Sequence, residues 1–384
     1  LANFITTTSF QDVTFHVKNA QTVTRFSFHM KTYNVFLYIH VFVFNRYYTT
    51  GKGVYNRGMI ELQRCTDQNL WDSFILENGG HPLQLWGWGQ LKSTHGWSVD
   101  RIIGYIDEEP VAAAQILTRK LPMPLRAFSY VPRGPVGEQG TSELFLASIA
   151  DYTKREHRSV VLSLEPDSSD VVLPSDWHQT KNHILPSQTI ILDLNKSEND
   201  LLQAMVKKTR QYIRKSAAEA MTIKRVTSKQ ELEKCMNIYH ETSNRAKFSL
   251  HNDQYYYDAF NALGEYSPIF AAYVDDQPIA FLWLAITEKT SFELYGGMNT
   301  VGQDLRANYA LKWHAIRKTK EWGIERYDFG GLINDGVSTF KRSWTDTETT
   351  LAGTFDKPLS PLYTVWNKAL PLAKRITQRL RSKR

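Results

Sequence analysis

Five positive charges crowd into one short stretch, Lys207, Lys208, Arg210, Arg214 and Lys215, with no acidic residue before Glu219. Salt bridges between positions three or four apart do not neutralise them, and such a face suits contact with phosphate. The other groups able to do chemistry are scattered. Cys65 and Cys235 lie far apart and outside any Cys-x-x-Cys or Cys/His spacing, so neither a disulfide framework nor a metal site is indicated. His157 and His314 are isolated and read as surface or core histidines. No Walker loop, dinucleotide fingerprint or nucleophile elbow is present. Tyr255-Tyr-Tyr257 and Trp86-Gly-Trp88 could stack on a sugar or base, although core packing is the commoner use of such aromatics.

The elements that must position these groups are set out by an internal repeat. Tyr105-Ile-Asp-Glu-Glu-Pro-Val-Ala112 reads against Tyr273-Val-Asp-Asp-Gln-Pro-Ile-Ala280. In each, an apolar strand enters an acidic turn and a second apolar strand returns, which is a hairpin pattern. Each hairpin is followed by a strand (128–131; 292–295), a glycine-containing turn, a helical stretch (142–156; 306–322) and a further strand (160–164; 326–329). Hairpin, strand, helix, strand is an α/β (α+β) unit with a mixed sheet. Two such units predict tandem acetyltransferase-like domains, 59–190 and 191–350, followed by a C-terminal segment, 351–384. Between the hairpins the periodicity of Leu202, Val206, Ile213 and Ala217 predicts one helix over about 198–220, with the basic cluster on an adjoining face.

Length and composition agree with two globular cores: 384 residues, 42% hydrophobic and 22% charged. The formal net charge of +7 equals the seven basic residues found from Lys368 to the end, where no acid occurs. With Leu370, Leu372, Ile376 and Leu380 forming a partial apolar stripe, that tail fits a surface helix against anionic lipid or RNA. No run of about 18 apolar residues marks a spanning helix. Residues 1–58 read either as a strand-rich extra segment or as translated sequence preceding a start at Met59. The second reading is preferred, and no function is assigned there.

In acetyltransferase-like folds, coenzyme A pyrophosphate sits on a glycine-rich turn before a helix. The stretch Val301-Gly-Gln-Asp-Leu-Arg-Ala-Asn308 does not keep that turn. In Arg133-Gly-Pro-Val-Gly-Glu-Gln-Gly140, Pro135 has no N–H to donate and Glu138 opposes phosphate. Other stretches resemble the FemXAB group of peptidoglycan bridge-forming aminoacyltransferases. They are Trp88-Gly-Gln-Leu-Lys92 with Gly96-Trp97, Tyr130-Val-Pro-Arg-Gly-Pro-Val136, Lys208-Thr-Arg-Gln-Tyr-Ile-Arg-Lys215, and Tyr327-Asp-Phe-Gly-Gly331 with Phe340-Lys341. The resemblance runs from about Trp71 to Gly353.

It implies transfer of an amino acid from aminoacyl-tRNA to the stem peptide of a muramyl-pentapeptide precursor, nucleotide- or lipid-linked, with no metal or organic cofactor. Lys341 then matches the lysine near the transferring ester, and Lys92 a lysine on the precursor's diphosphate. Tyr130, Arg133 and Phe340 fall among the substrate-binding positions, and Lys207, Arg210 and Arg214 among tRNA contacts. Where relatives carry Phe-x-x-Arg, this chain has Phe248-Ser-Leu-His251, so His251 departs from the pattern. Glu165 falls where relatives often carry an acid and is a candidate base. Some relatives insert a helical arm in the second domain, for which 220–290 leaves no room. Such chemistry needs an oriented amine and positive charge for an oxyanion, but no covalent enzyme intermediate. The implied location is cytoplasmic, at the inner face of the plasma membrane if the tail docks there. The rivals are a coenzyme A-dependent or other amine N-acyltransferase, and a non-catalytic RNA- or membrane-binding protein on the same scaffold.

Overall fold

The computed structural model describes residues 60–333 and 336–370, and the backbone of three strands nearer the N-terminus. The chain divides into two compact units, 1–57 and 58–384. In the first unit β1 (Phe15–Asn19), β2 (Thr22–Phe26) and β3 (Phe42–Phe44) pair antiparallel in that order. Apart from these strands, the segment 1–58 of the sequence reading lies almost wholly outside the described residues, as does the basic tail beyond 370.

The second unit opens with β4 (Glu61–Arg64), α1 (Gln68–Glu77) and α2 (Trp86–Thr94). The first predicted hairpin follows as β5 (Ser98–Ile106) and β6 (Glu109–Lys120). Next come β7 (Ala127–Pro132), α3 (Glu143–His157) and β8 (Ser159–Glu165). Ser142 caps α3 by accepting from the Phe145 N–H, while Lys154, Arg155 and His157 occupy its last turn, where the helix dipole favours cations. Three short strands, β9 (His178–Thr180), β10 (Gln188–Thr189) and β11 (Ile191–Asp193), lead into the second half.

The predicted helix over 198–220 is broken in two, α4 (Glu198–Ala204) and α5 (Lys207–Ala217). Met205 and Val206 are extended between them. The Val206 N–H pairs with the Ser343 carbonyl at 3.1 Å, and the Arg210 guanidinium covers the carbonyls of Leu202, Gln203 and Met205. Helical periodicity continues through the break, but tertiary partners replace the helical hydrogen bonds there.

After β12 (Thr222–Arg225) come α6 (Lys229–Ala246) and α7 (Asp253–Leu263), joined by a short link in the stretch expected to lack an arm. The second hairpin is β13 (Ile269–Val274) and β14 (Gln277–Ile286). Then follow β15 (Thr290–Met298), α8 (Thr300–Asp304), α9 (Ala307–Glu321), β16 (Arg326–Asp328) and α10 (Gly336–Arg342). β17 (Thr349–Thr350) pairs with β10, and β18 (Thr354–Pro358) crosses back into the first sheet between β8 and β9. The sheets run β4-β5-β6-β7-β8-β18-β9 and β11-β16-β15-β14-β13-β12. Only β7–β8 and β15–β16 are parallel among the described pairings.

The repeat extends to backbone detail. Both hairpins turn on two acidic residues at positive φ, Asp107 and Glu108 in one, Asp275 and Asp276 in the other, as two-residue turns between right-twisted strands require. Both carry a register shift at the tyrosine, between Gly104 and Tyr105 and between Ala272 and Tyr273, opposite Pro110 and Pro278. A proline lacks the N–H that a regular ladder would use there. One core joins the halves: Leu83, Trp88, Leu91 and Tyr130 pack with Tyr239, Tyr255, Phe281 and Trp283. α2 lies so close to α7 that a Cβ on Gly87 would stand 2.3 Å from the Ala262 carbonyl oxygen.

Candidate active site

The Tyr327-Asp-Phe-Gly-Gly331 motif and Phe340-Lys341 form one physical unit. Asp328, fully buried, accepts on Oδ1 from the Thr189 hydroxyl at 2.5 Å and from the Gly330 N–H at 2.8 Å. The Gly331 N–H in turn donates to the Thr189 oxygen at 3.1 Å. The chain turns through Gly330 and Gly331 at φ of +75° and +88°, where a Cβ would also meet the Glu293 carbonyl at 2.5 Å and Pro186 at 2.8 Å. Lys341 on α10 donates from Nζ to the Gly331 carbonyl at 2.8 Å. Phe340 packs edge-on against Tyr309 and Trp344, which fixes α10 against α9.

A second cluster forms where α2 meets α7. Lys92 donates to the Tyr255 hydroxyl at 2.7 Å, and its ammonium lies 4.2 Å from the centre of the Trp88 ring. His251 stacks on the other partner, its ring 3.9 Å from that of Tyr255 and inclined by 19°. Lys92 and His251, far apart in the chain, thus share one tyrosine. Tyr255 is the residue whose role sequence reading did not supply. In the sequence it stands with Tyr256 and Tyr257 as an aromatic run, and its spacing from His251 gives no sign of Lys92.

Tyr130, Arg133 and Glu165 meet around residues 184–186. Glu165 is 1% exposed, and its two oxygens accept from the Tyr130 hydroxyl, the Thr354 hydroxyl (2.6 Å) and the N–H groups of Ile184 (2.7 Å) and Leu185. Burial and the adjoining Glu165 carboxylate hold the Tyr130 phenol well above its ordinary pKa. Arg133 reaches the Pro186 carbonyl at 3.3 Å, and Pro186 packs on Gly331. This strap connects the first half to the Lys341 turn. Engaged by these four donors, Glu165 ties β8 to β18 and to the strap, which is the geometry of a structural clamp. Nearby, Arg326 pairs with Asp167 at 2.9 Å. Burial raises the Asp167 carboxyl above its usual range against the pull of Arg326 and Arg133.

The basic cluster is on α5. Lys207 and Arg214 are exposed, whereas Arg210 is half-buried and caps α4 as described, so it is set apart from a phosphate-binding face. Tyr212 links this helix to the Lys341 region: its ring lies 5.0 Å from Tyr309, which packs in turn on Phe340, and Lys208 and Arg306 approach its face.

Two more groups near Lys341 went unread in the sequence. Lys312, on α9, is 5% exposed and contacts Glu293 Oε1 at 2.5 Å. Burial, with Lys341 adding to it and Glu293 opposing, brings its pKa down to about 8. A lysine on the buried face formed by Leu311, Ala315, Ile316 and Thr319 breaks the apolar pattern, and that break was the available signal.

The turns that could cradle a pyrophosphate have several of their N–H groups engaged. Gly302 donates to the Asn299 side chain, Gln303 to Asn299, Leu305 to Val301 and Arg306 to Gln303. In the first half Val136 donates to Ala113, Gln139 to Val111 and Gly140 to Gly137. Among the described residues no cluster of three His, Cys, Asp or Glu side chains could hold a metal ion. Cys65 and Cys235 are free thiols. A surface cleft of about 460 Å³ over Asp100 and His157 touches neither lysine cluster.

Known proteins resemble this chain over most of its length. The lipid II:glycine glycyltransferase of Staphylococcus saprophyticus is 22% identical over 404 residues, spanning 81% of this chain and 96% of that protein. Its counterpart in Staphylococcus epidermidis is 22% identical over 405 residues, with the same coverage of 81% and 96%. Both alignments are longer than the 384 residues of this chain, so these relatives carry positions that it lacks. The crystal structure of FemX superposes with a TM-score of 0.71 at 19% identity, covering 80% of this chain and 100% of that one. The C-terminal domain of a putative lysylphosphatidylglycerol synthetase from Agrobacterium fabrum gives a TM-score of 0.52 at 11% identity, over 75% of this chain and 91% of that one. The FemAB family model matches residues 67–173, 175–278 and 261–370, and with most of its length so matched the chain belongs to the FemAB family.

Proposed function

We propose that this protein is an aminoacyltransferase of peptidoglycan bridge formation, moving an amino acid from aminoacyl-tRNA to the stem peptide of a lipid-linked muramyl-pentapeptide precursor. The acceptor is the side-chain amine of the third stem residue, or an amino acid already attached to it. The lipid-linked form is favoured because the relatives that match over most of the chain act on lipid II by name.

The observation that carries the reading is the seat of Lys341. Its ammonium is fastened to the Gly331 carbonyl on a turn built by Asp328 and Thr189, so its charge is fixed in place before substrate arrives. The aminoacyl ester is already activated. The acceptor attacks as a neutral amine, and the carbonyl oxygen gains negative charge that Lys341 faces; the ribose oxygen then leaves. The proton shed by the amine goes to a substrate group, because both oxygens of Glu165 are engaged. Lys92 and His251, set on Tyr255, supply a cationic and donor pair for the diphosphate. Lys207 and Arg214 offer contacts for the tRNA backbone. Engagement of the turn N–H groups weighs against coenzyme A as donor. The enzyme works at the cytoplasmic face of the membrane, where charged tRNA and the precursor headgroup meet. No helix among the described residues is long and apolar enough to cross a membrane.

The test is transfer of radiolabelled amino acids from a charged total-tRNA pool to nucleotide-linked and lipid-linked muramyl-pentapeptide, with Lys341→Ala and ribonuclease-treated controls. Label should appear in the lipid-linked acceptor and vanish in both controls. Absence of transfer by the folded protein, with every amino acid charged, refutes the reading.

A further inference from the structure

Beneath Lys341 lies a charge pair that the reaction as described does not use. Lys312 Nζ and the Tyr327 hydroxyl both donate to one oxygen, Glu293 Oε1, at 2.5 and 2.8 Å. α9, β15 and β16 therefore converge on a single carboxylate. The Lys312 ammonium also lies 4.2 Å from the centre of the Phe329 ring and 5.4 Å from that of Phe340. Phe329 immediately precedes the Gly330–Gly331 turn that receives Lys341, and Phe340 immediately precedes Lys341 itself. Both sides of the lysine's seat thus rest on one cation. The Glu293 backbone supports the same turn, since its carbonyl oxygen lies against Gly330.

Stability gives a poor reason for such a pair. Replacing a buried ion pair with apolar residues of similar volume is often neutral or stabilising. The neighbours of Lys312 on the buried face of α9 are apolar, so a methionine or leucine there would continue the pattern. The charge is better explained by its neighbour. We propose that Lys312, held by Glu293 and Tyr327, is a positioning residue that fixes the place and the electrostatic surroundings of Lys341 for aminoacyl transfer; the inference rests on the transfer reading above.

The charged and titratable groups facing Lys312 are Glu293 from β15, Tyr327 from β16 and Lys341 from α10. Below pH about 8 the Lys312–Glu293 pair is neutral overall and Lys341 faces a like charge. Above it the pair is net negative, and the cation beneath Phe329 and Phe340 is lost.

The experiment uses the full chain as wild type, Lys312→Met, and the double variant Lys312→Met with Glu293→Gln, which keeps an acceptor for the Tyr327 hydroxyl. It measures kcat and KM for both substrates across pH, thermal unfolding, and acylation of Lys341 by an amine-reactive anhydride, read by mass spectrometry at each pH. Lys312→Met should lower kcat about tenfold or more, with both KM values within about twofold. It should also slow acylation of Lys341 below pH about 8, where the wild type still carries the like charge, because Glu293 then acts unopposed. The double variant, free of the unpaired carboxylate, should unfold like wild type yet keep the low kcat. A double variant that folds normally and has wild-type kcat, together with unchanged Lys341 labelling below pH about 8 in Lys312→Met, overturns the proposal. If the wild type itself transfers nothing, the transfer reading fails, and Lys341 labelling below pH about 8 still decides whether Lys312 governs Lys341.

Discussion

The two halves of the second unit repeat one design and differ where their parallel strands meet. In the first half β7 and β8 stay paired from Ala127 and Ser159 through to Pro132 and Glu165. The chain then folds back, and Val136 bonds in both directions to Ala113. In the second half β15 and β16 pair only from Thr290 and Arg326 to Phe292 and Asp328. Beyond that point β15 runs on to Met298 half-exposed, while its partner turns away through Gly330 and Gly331. The zipped half keeps its carboxylate, Glu165, sealed and shared among four elements. The opened half places Lys341 and Lys312 at the fork. In the function proposed above, one repeat serves as a support and the other as the active centre, and the difference lies in how far a single strand pair continues.

That comparison breaks most readily at Lys341. Removing its charge from the fork should lower kcat for transfer by about 100-fold or more, in line with about 3 kcal/mol for a lost oxyanion donor. Thermal unfolding should move little, since the ammonium is half-exposed and bonds to a carbonyl at a turn. Single-turnover transfer by Lys341→Ala checks the first part, and calorimetry the second.

Glu165 should behave in the opposite way. Glu165→Gln removes acceptor capacity at 1% exposure, so the strap at 184–186 loses partners. Stability should fall by about 2–3 kcal/mol, with kcat within about threefold of wild type at a temperature where the variant is folded. A folded Glu165→Gln protein that loses transfer by orders of magnitude would return Glu165 to the role of base and undo the contrast between the halves.

How much of this was legible depended on the range of the interaction. The hairpins could be read because the acidic residues, the prolines and the apolar strands of each turn act within a few positions. The break at Met205–Val206 could not, because it depends on the Ser343 carbonyl and on the Arg210 side chain reaching back over α4. The return of β18 into the first sheet depends on pairing with β8 and β9 across most of the chain. Within the candidate site, the resemblance supplied Lys92, His251 and Lys341 as separate positions. Tyr255, which joins the first two, and Glu293 and Lys312, which underlie the third, emerged only from packing.

The α2–α7 cluster spans both halves and tests whether binding, unlike chemistry, is shared between them. Lys92→Ala should raise KM for the precursor about tenfold and leave kcat within about twofold, as for a lost charge-assisted contact. Tyr255→Phe keeps the ring under His251 but frees Lys92 from its 2.7 Å hydrogen bond, so a smaller rise of about threefold is expected. Equal loss of kcat and kcat/KM in Lys92→Ala would instead locate Lys92 at the reacting centre.

His251 gives the smallest effect and runs in the other direction. A neutral imidazole presents one N–H, whereas a guanidinium is always charged and can fork onto two oxygens of a phosphate. The stacked position on Tyr255 suits either planar group. His251→Arg should therefore lower KM for the precursor by about threefold and leave kcat unchanged, with the gain larger at low ionic strength because an exposed charge is screened by salt. Titration with inorganic pyrophosphate as a competitive inhibitor reads the same site without the peptide. Tighter inhibition of His251→Arg than of wild type, abolished when Lys92 is also replaced by alanine, would tie both residues to one diphosphate. If inhibition were equal in the two proteins, the α2–α7 cluster would be a packing contact, and the substrate-binding half of the comparison would have to be sought elsewhere.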